Sequence, residues 1–540
     1  MRSLTALGCV AVLSFAAGAA RAAGPIQSEL DNAARDGDNW LYADRDYRGT
    51  RYSPLDQINS RTAPALGQNC SYSFPEKQPA QTAPLAYGGV LYATTAHYTT
   101  ALDGGTCKVL WEHKWDPKGK ETFATQRGAA IKDGKVIRGT GDGYLIALDA
   151  QNGQLLWARE IAKPSDGYYI SMPPLIYDDL ILIGPGGAEL AAKGWVGAFR
   201  LADGAPVWKF NTVANPGEPG AETWRGDPNA LKHGGGTLWT AMAFDADKGL
   251  LYVPVGNPAP DFYDKNRPGK NLYTDALVAL DVRTGELAWY YQAVPHDVRD
   301  YDLTHVAPVF TMQLRGAPHT LIGLTGKDGL LRVVDRDTRK VLYSVPFTTR
   351  ENAEGPIGTS FKHVCPGALG GHEWSGAAYS PRLSALFVPA TDWCEQLKQS
   401  DKPPDPAAVA KGVLYMGGEM QFDPWDRAKG WLTAFDAATG KQRWRYSSAK
   451  PMIGGAVATG GDLIIVGEIT GDLVVLDALT GEALYRHHLN GPIGGGVISY
   501  AVGGRQHIAA VSGFVGGYYN QMAPDIGGQN PTVSVFALKE

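Results

Sequence analysis

The strongest constraint on this chain is a phrase that it repeats: an apolar alternation, Ala-x-Asp, a turn with Thr-Gly or Asn-Gly, and an aromatic four residues beyond the glycine position. The copies run from Ala101-Leu-Asp103 to Trp111, Ala147-Leu-Asp149 to Trp157, Ala198 to Trp208, Ala279-Leu-Asp281 to Trp289, Val334-Asp335 to Tyr343, Ala434-Phe-Asp436 to Trp444 and Val475-Leu-Asp477 to Tyr485. Asp supplies a side-chain bond to the turn backbone and Gly the positive φ that a hairpin needs, while period-two alternation marks half-buried strands. Each copy is therefore a strand, a tight turn and a strand. Most copies lie about 40 to 55 residues apart, which suits four-stranded blades, and the gaps of 81 and 101 residues mark insertions or a unit without the phrase. The stretch from Trp374 to Trp393 reads as strand-turn-strand and would bring the count to eight. The alternation from Val533 to Leu538 would close the ring with an N-terminal strand. The expectation is all-β: one eight-bladed β-propeller, with 215–227 and 402–406 as surface loops.

Residues 1–22 carry a positive start, an apolar run from Leu4 to about Ala17 and the small-residue ending Ala20-Arg21-Ala22, the pattern of a cleaved signal peptide. The run is too short to span a bilayer, so the reading is export to the periplasm, a single domain over 23–540 and no membrane span. A formal charge of −5 with interspersed signs offers no basic stripe for nucleic acid. Cys9 leaves with the signal, and Cys70, Cys107, Cys365 and Cys394 make an even set in an oxidising compartment. Two disulfides between sequence neighbours are expected, with Cys70 and Cys107 tying strands of the first blade.

Several short phrases stand out from the repeat: Gln126-Arg127-Gly128, Gly186-Gly187-Ala188-Glu189, Gly234-Gly235-Gly236-Thr-Leu-Trp239, Gly256-Asn257-Pro258-Ala-Pro260 and His296-Asp297-Val-Arg-Asp300-Tyr-Asp302. In this order, from Asn39-Trp40 and Thr50-Arg51-Tyr52 to Gly504–Gly513, they resemble the PQQ-dependent (quinoprotein) methanol and ethanol dehydrogenases over nearly the whole mature chain. The resemblance implies pyrroloquinoline quinone (PQQ) above one metal ion, with Glu189, Asn257 and Asp300 as metal ligands and Asp300 as catalytic base. A hard cation held by oxygen ligands polarises the quinone carbonyl while a carboxylate takes the alcohol proton. Asp302 resembles the acid of the lanthanide-dependent branch, which favours a lanthanide(III) over Ca²⁺ as fourth-ligand partner. The resemblance further implies Trp239 as the stacking floor, Arg127 and Ser171 with the backbone of Gly186, Gly187 and Ala188 as carboxylate partners, and Lys327 beside the quinone oxygens. Cys365 and Cys394 match a family disulfide.

The departures matter too. Gln81 stands where the family has Glu, and Glu373, before Trp374, where it has Asn; Glu373 would reach a quinone edge only if protonated or paired with a cation such as Lys327. The family's adjacent cysteine pair is replaced by Glu121-Thr122, so the cofactor ceiling must be built differently. There is no Cys-x-x-Cys-His, so no attached c-type haem, and electrons would pass to a separate acceptor such as a soluble cytochrome c. The implied substrate is a primary or secondary alcohol; a homodimer and a monomer stand equally open. Two rival readings remain: a non-catalytic PQQ-like propeller serving as a periplasmic protein-binding scaffold, and a calcium-stabilised lyase or hydrolase using Asp300 with His296 or His305.

Overall fold

The computed structural model describes residues 24–489, 491–523 and 526–539; the signal peptide and Cys9 lie outside them. Each of the seven phrases sits in its own four-stranded antiparallel ladder, strands in chain order from innermost to outermost, and one such sheet gains Tyr52–Ser53 as a parallel neighbour of Val457–Thr459. The architecture is a β-propeller.

The phrase works as a joint between sheets. Asp149, Asp281 and Asp477 accept backbone N–H bonds from the residue two further on at 2.8–2.9 Å, which sets the turn. The glycine that follows has a positive φ, and its bare Cα faces the aromatic of the preceding sheet. A Cβ on Gly153, Gly285 or Gly481 would come within 2.6 Å of Trp111, Trp208 or Trp444. The same indoles donate to the next sheet's backbone, Trp111 to Ala150 O at 2.9 Å and Trp208 to Val282 O at 3.0 Å. At Trp111, Trp208 and Trp444 aromatic, glycine and carbonyl thus form one repeated contact, whereas Trp157 packs on Gly204 without that bond and Arg339 holds the glycine position beside Trp289.

Ring closure departs from the expectation in two ways. Trp374–Trp393 is not a separate unit: Ala378–Ser380 and Ala385–Asp392 are the inner strands of the sheet completed by Lys429–Asp436 and Gln442–Ser448. Between these halves an insertion carries Glu395–Gln399 and Gly418–Phe422, which form a side sheet with Lys362–Val364 from ahead of the inner strands, and this is why the gap is long. The sheet without the phrase is the closing one, where Val497–Val502, Arg505–Ser512 and Thr532–Leu538 take Leu66–Ser73 as outer strand. Its outer strand comes from the other end of the chain, so no turn joins the third strand to the fourth and no Asp-turn-Gly is needed. The expected closure by the 533–538 strand holds.

Cys70 therefore belongs to the closing sheet and not to the first, and its bond to Cys107 joins the two sheets across the seam. Cys70 follows the outer-strand bulge where the other sheets place their aromatic, and Cys107, four residues beyond Asp103 with φ 57°, holds the glycine position. A disulfide replaces the aromatic–glycine contact at the closure. Cys365–Cys394 pins the side sheet, as expected of this pair. Among the described residues no helix is long and apolar enough to cross a membrane.

Candidate active site

In an antiparallel blade the entry to the innermost strand and the turn from second to third strand emerge at the same edge, whereas the Asp-turn-Gly lies at the opposite edge. Gln81, Arg127, Ser171, Trp239, Asp300, Asp302, Glu373 and Trp374 precede innermost strands, and Glu189, Asn257 and Lys327 lie in second-to-third turns. One face of the ring thus collects every residue named from sequence. Loops are stitched to one another by isolated bridges, Tyr169 to Gly186 and Gly235 to Pro258. Gly235, with φ +68°, is required here because a Cβ would lie 2.6 Å from Asn257 O and Ala259 N.

Charge dominates the centre. Lys327 Nζ lies 2.8 Å from Asp300 Oδ2 and 2.8 Å from Asp302 Oδ2. Asp302 Oδ1 accepts from the Asn257 N–H at 2.8 Å, and Asn257 Nδ2 donates to Asp261 Oδ1 at 3.0 Å. Asp300 Oδ1 and Asp261 Oδ2 are buried with no partner. Burial raises the Asp300, Asp261 and Glu189 carboxyls above their usual range, the neighbouring acids add to this, and Lys327 opposes it. Lys327 itself is held well above the ordinary lysine range by Asp300 and Asp302, against the desolvation that would lower it. Five carboxylates, counting Glu373, face two cations, Lys327 and Arg127. An uncompensated buried carboxylate is costly, so this donor set of hard oxygens suits an added multivalent cation.

The aromatic part of the site fits a flat anion. Arg127 stands over the Trp239 ring at 4.9 Å and Trp374 at 5.4 Å, and Lys327 over Trp239 at 5.4 Å. Arg127 Nη1 donates to Ser171 Oγ at 2.7 Å while its Nε is buried without an acceptor, and burial lowers the guanidinium to about 10. Gln81 Nε2 donates to Val515 O at 3.0 Å and its Oε1 is unpartnered. The orphaned Arg127 Nε donor and an indole face beside two cations suit a planar polycarboxylate such as PQQ, and the Gln81 oxygen can accept only from a protonated group of it. Glu373 meets the Tyr519 hydroxyl at 3.3 Å, and burial pushes it up to about 7, against the pull of Lys327.

Other sequence readings resolve as follows. Glu189, Asp300 and Asp302 do not all converge to within 4.8 Å of one another, and Lys327 bridges the two aspartates; the cluster of that kind found among the described residues is His363, Cys365 and Cys394, whose cysteines are bonded to each other. Asp297 caps its turn through Arg299 N and Tyr301 N. His296 pairs with Asp264, and His305 with Glu373 O, so neither imidazole is committed to Asp300.

Sequence reasoning missed three features, Asp261, the Phe123–Tyr169 pair and the His97 contacts, and named the pocket loops at 262–263 and 408–418 without placing them. Asp261, four residues after Asn257, was a readable signal as an acid beside an amide ligand. Phe123 and Tyr169, rings 5.1 Å apart, stand over the Gly186 turn, where a Cβ on Gly186 would meet Tyr169 Oη at 2.8 Å. The loop at Glu121 is held by charge: His97 Nε2 lies 2.6 Å from Glu121 Oε2 and Nδ1 2.8 Å from Glu76 Oε2. The loops at 262–263 and 408–418 meet each other through Phe262 N and Met416 O, and Tyr415 N donates to Glu189 O at 2.8 Å.

Residues 40–355 match the family model described as glucose/ethanol/alcohol dehydrogenase, β-propeller domain. Residues 428–513 match the model of the outer membrane protein assembly factor BamB, a stretch holding none of the site residues above. The dehydrogenase subunit of the quinone alcohol dehydrogenase of Gluconobacter oxydans is 32% identical over 95% of this chain and 76% of its own. The dehydrogenase XoxF of Paracoccus denitrificans is 30% identical over 96% of this chain and 93% of its own. Among solved structures, the quinohemoprotein alcohol dehydrogenase ADHIIG of Pseudomonas putida superposes with TM-score 0.88 at 27% identity, covering 96% of this chain and 82% of that one. A europium-containing methanol dehydrogenase gives 0.86 at 25% identity, covering 95% and 100%. With a family model spanning more than half its length and relatives of 30–32% identity that match at least 95% of it, this chain belongs to the PQQ-dependent, or quinoprotein, alcohol dehydrogenases.

Proposed function

We propose that this protein is a periplasmic dehydrogenase that oxidises a primary or secondary alcohol to an aldehyde or ketone, using PQQ and one metal ion, and passes electrons to a separate acceptor such as a soluble cytochrome c. The observation that carries the reading is the state of Asp300: one carboxylate oxygen is fixed by Lys327, and the other is buried and free to accept a proton. Bound PQQ supplies the two-electron acceptor and the cation its Lewis acid. Asp300 takes the hydroxyl proton of the alcohol, Lys327 holds that carboxylate in place, and Arg127 with Ser171 receives a cofactor carboxylate against Trp239. Glu189, Asn257 and Asp300 hold the metal, with Asp302 adding the charge that suits a lanthanide(III) over Ca²⁺. Asp261 supports this set from behind Asn257. The ring is read as eight-bladed, one domain over 23–540, exported by a signal peptide at 1–22.

The test is reconstitution of the mature protein with PQQ and either La³⁺ or Ca²⁺, following reduction of an artificial dye by a panel of alcohols. Turnover with La³⁺ supports the full reading; turnover with Ca²⁺ alone removes the lanthanide. A protein that binds PQQ with neither ion is a binding scaffold.

A further inference from the structure

The substrate class is legible in a cleft that borders the site. Its walls are the chain neighbours of residues already placed there: Thr122 follows Glu121, Tyr168 precedes Tyr169, Leu190 follows Glu189, and Leu414 precedes Tyr415. The cleft measures about 1010 Å³, at the upper end of ordinary small-molecule sites and far larger than methanol or ethanol needs.

Its lining has two characters. Leu190, Val409, Val413 and Leu414 supply apolar lining, and Val413 is 56% exposed. The lining also carries Lys120, Lys163, Lys193 and Lys232 against two acids, Glu160 and Asp166. Lys193 is already engaged, by Ala214 O and by Asn215 Oδ1 at 2.6 Å. Lys120, Lys163 and Lys232 are exposed, and among the described residues none of the three has a salt-bridge partner. Four lysines against two acids leave this concavity with an excess of positive charge.

We propose that this cleft receives the substrate, and that the substrate is an alcohol with an apolar body and an anionic group: the body lies along Leu190, Val409 and Leu414, the anion meets the lysines, and the hydroxyl end points to the site beside Glu189. The proposal rests on the dehydrogenase reading and specifies its substrate. The concave shape favours a small anion over the flat face of an acidic protein partner.

The test uses decanoate, 10-hydroxydecanoate and 1,10-decanediol. Calorimetry of decanoate needs no turnover, so it separates failure of the cleft from failure of the dehydrogenase reading. Decanoate binds the native protein, and the triple variant K120Q/K163Q/K232Q binds it about tenfold more weakly, the sum of three solvent-exposed ion pairs. With PQQ and metal loaded, kcat/KM for 10-hydroxydecanoate exceeds that for the diol; the preference shrinks in the triple variant and, in the native protein, at high salt. Equal kcat/KM for both alcohols with decanoate binding untouched by the substitutions overturns the proposal. So does a triple variant whose only defect is slower electron delivery to a protein acceptor, which would assign the lysines to that partner.

Discussion

Lys327 and Asp300 are joined at one oxygen only: the ammonium lies 2.8 Å from Asp300 Oδ2, and Oδ1 stays buried without a partner. The single bond fixes the carboxylate plane and lowers the pKa that burial raises, which keeps a desolvated acid usable as a base. Asp300 also sits at φ 62°, a left-handed backbone that aims its side chain away from the run of the loop.

Asp302 shares the same lysine but spends its second oxygen on the Asn257 N–H. Replacing it with alanine removes one negative charge from the cation site. D302A is expected to lose La³⁺-supported turnover by about tenfold or more while keeping Ca²⁺-supported turnover, since Coulomb attraction falls more for the trivalent ion. Dye-linked assays across a titration of each metal check this. Equal losses with both ions would make Asp302 a structural clamp.

The His97 contacts predict a pH dependence. Hydrogen bonds to Glu121 and then Glu76 raise His97 to about 9, from an ordinary value near 6.5, against partial desolvation. A histidine whose folded pKa is raised stabilises fully below its unfolded pKa and loses that contribution as pH climbs through the folded value. H97Q is therefore expected to cost at most about 3 kcal/mol below pH 6.5, with the difference from the native protein fading by about pH 9. Urea unfolding at pH 6, 8 and 9.5 measures it; a pH-independent difference would mean that the imidazole acts by shape alone.

The seam disulfide makes a third prediction. Cys70 and Cys107 enclose a sequence separation of 37, and C70A/C107A is expected to lose about 4 kcal/mol from chain entropy. C70W/C107G restores the joint used elsewhere in the ring and should regain part of that loss. Denaturant midpoints compare the three proteins; no gain from the tryptophan–glycine pair would show that the seam geometry differs from the other joints.

What was legible in the sequence is what local chemistry decides. Asp149 and Gly153 announce a turn because the hydrogen bond of the one and the positive φ of the other are satisfied within a few residues. The placement of Cys70 was not legible, because its strand pairs with Thr532–Leu538 and no local signal spans that distance. The inner strands at 378–392 looked like a separate unit because an insertion carries their partners to Lys429–Ser448. Asp300, Asn257 and Glu189 were named through ordered phrases, and Asp261 was readable from its place four residues after Asn257, whereas the His97 contacts join Glu76 and Glu121 across more than twenty residues on either side.

The most direct measurement is the anaerobic mixing of PQQ- and metal-loaded protein with alcohol, following the absorbance of the bound quinone in the native enzyme and in D300N. The native cofactor should be reduced in one turnover. D300N should hold PQQ with the same stoichiometry and reduce it about 10² to 10⁴ times more slowly, the range expected for a lost general base. Reduction at the native rate in D300N, or none in the native protein, would contradict the account.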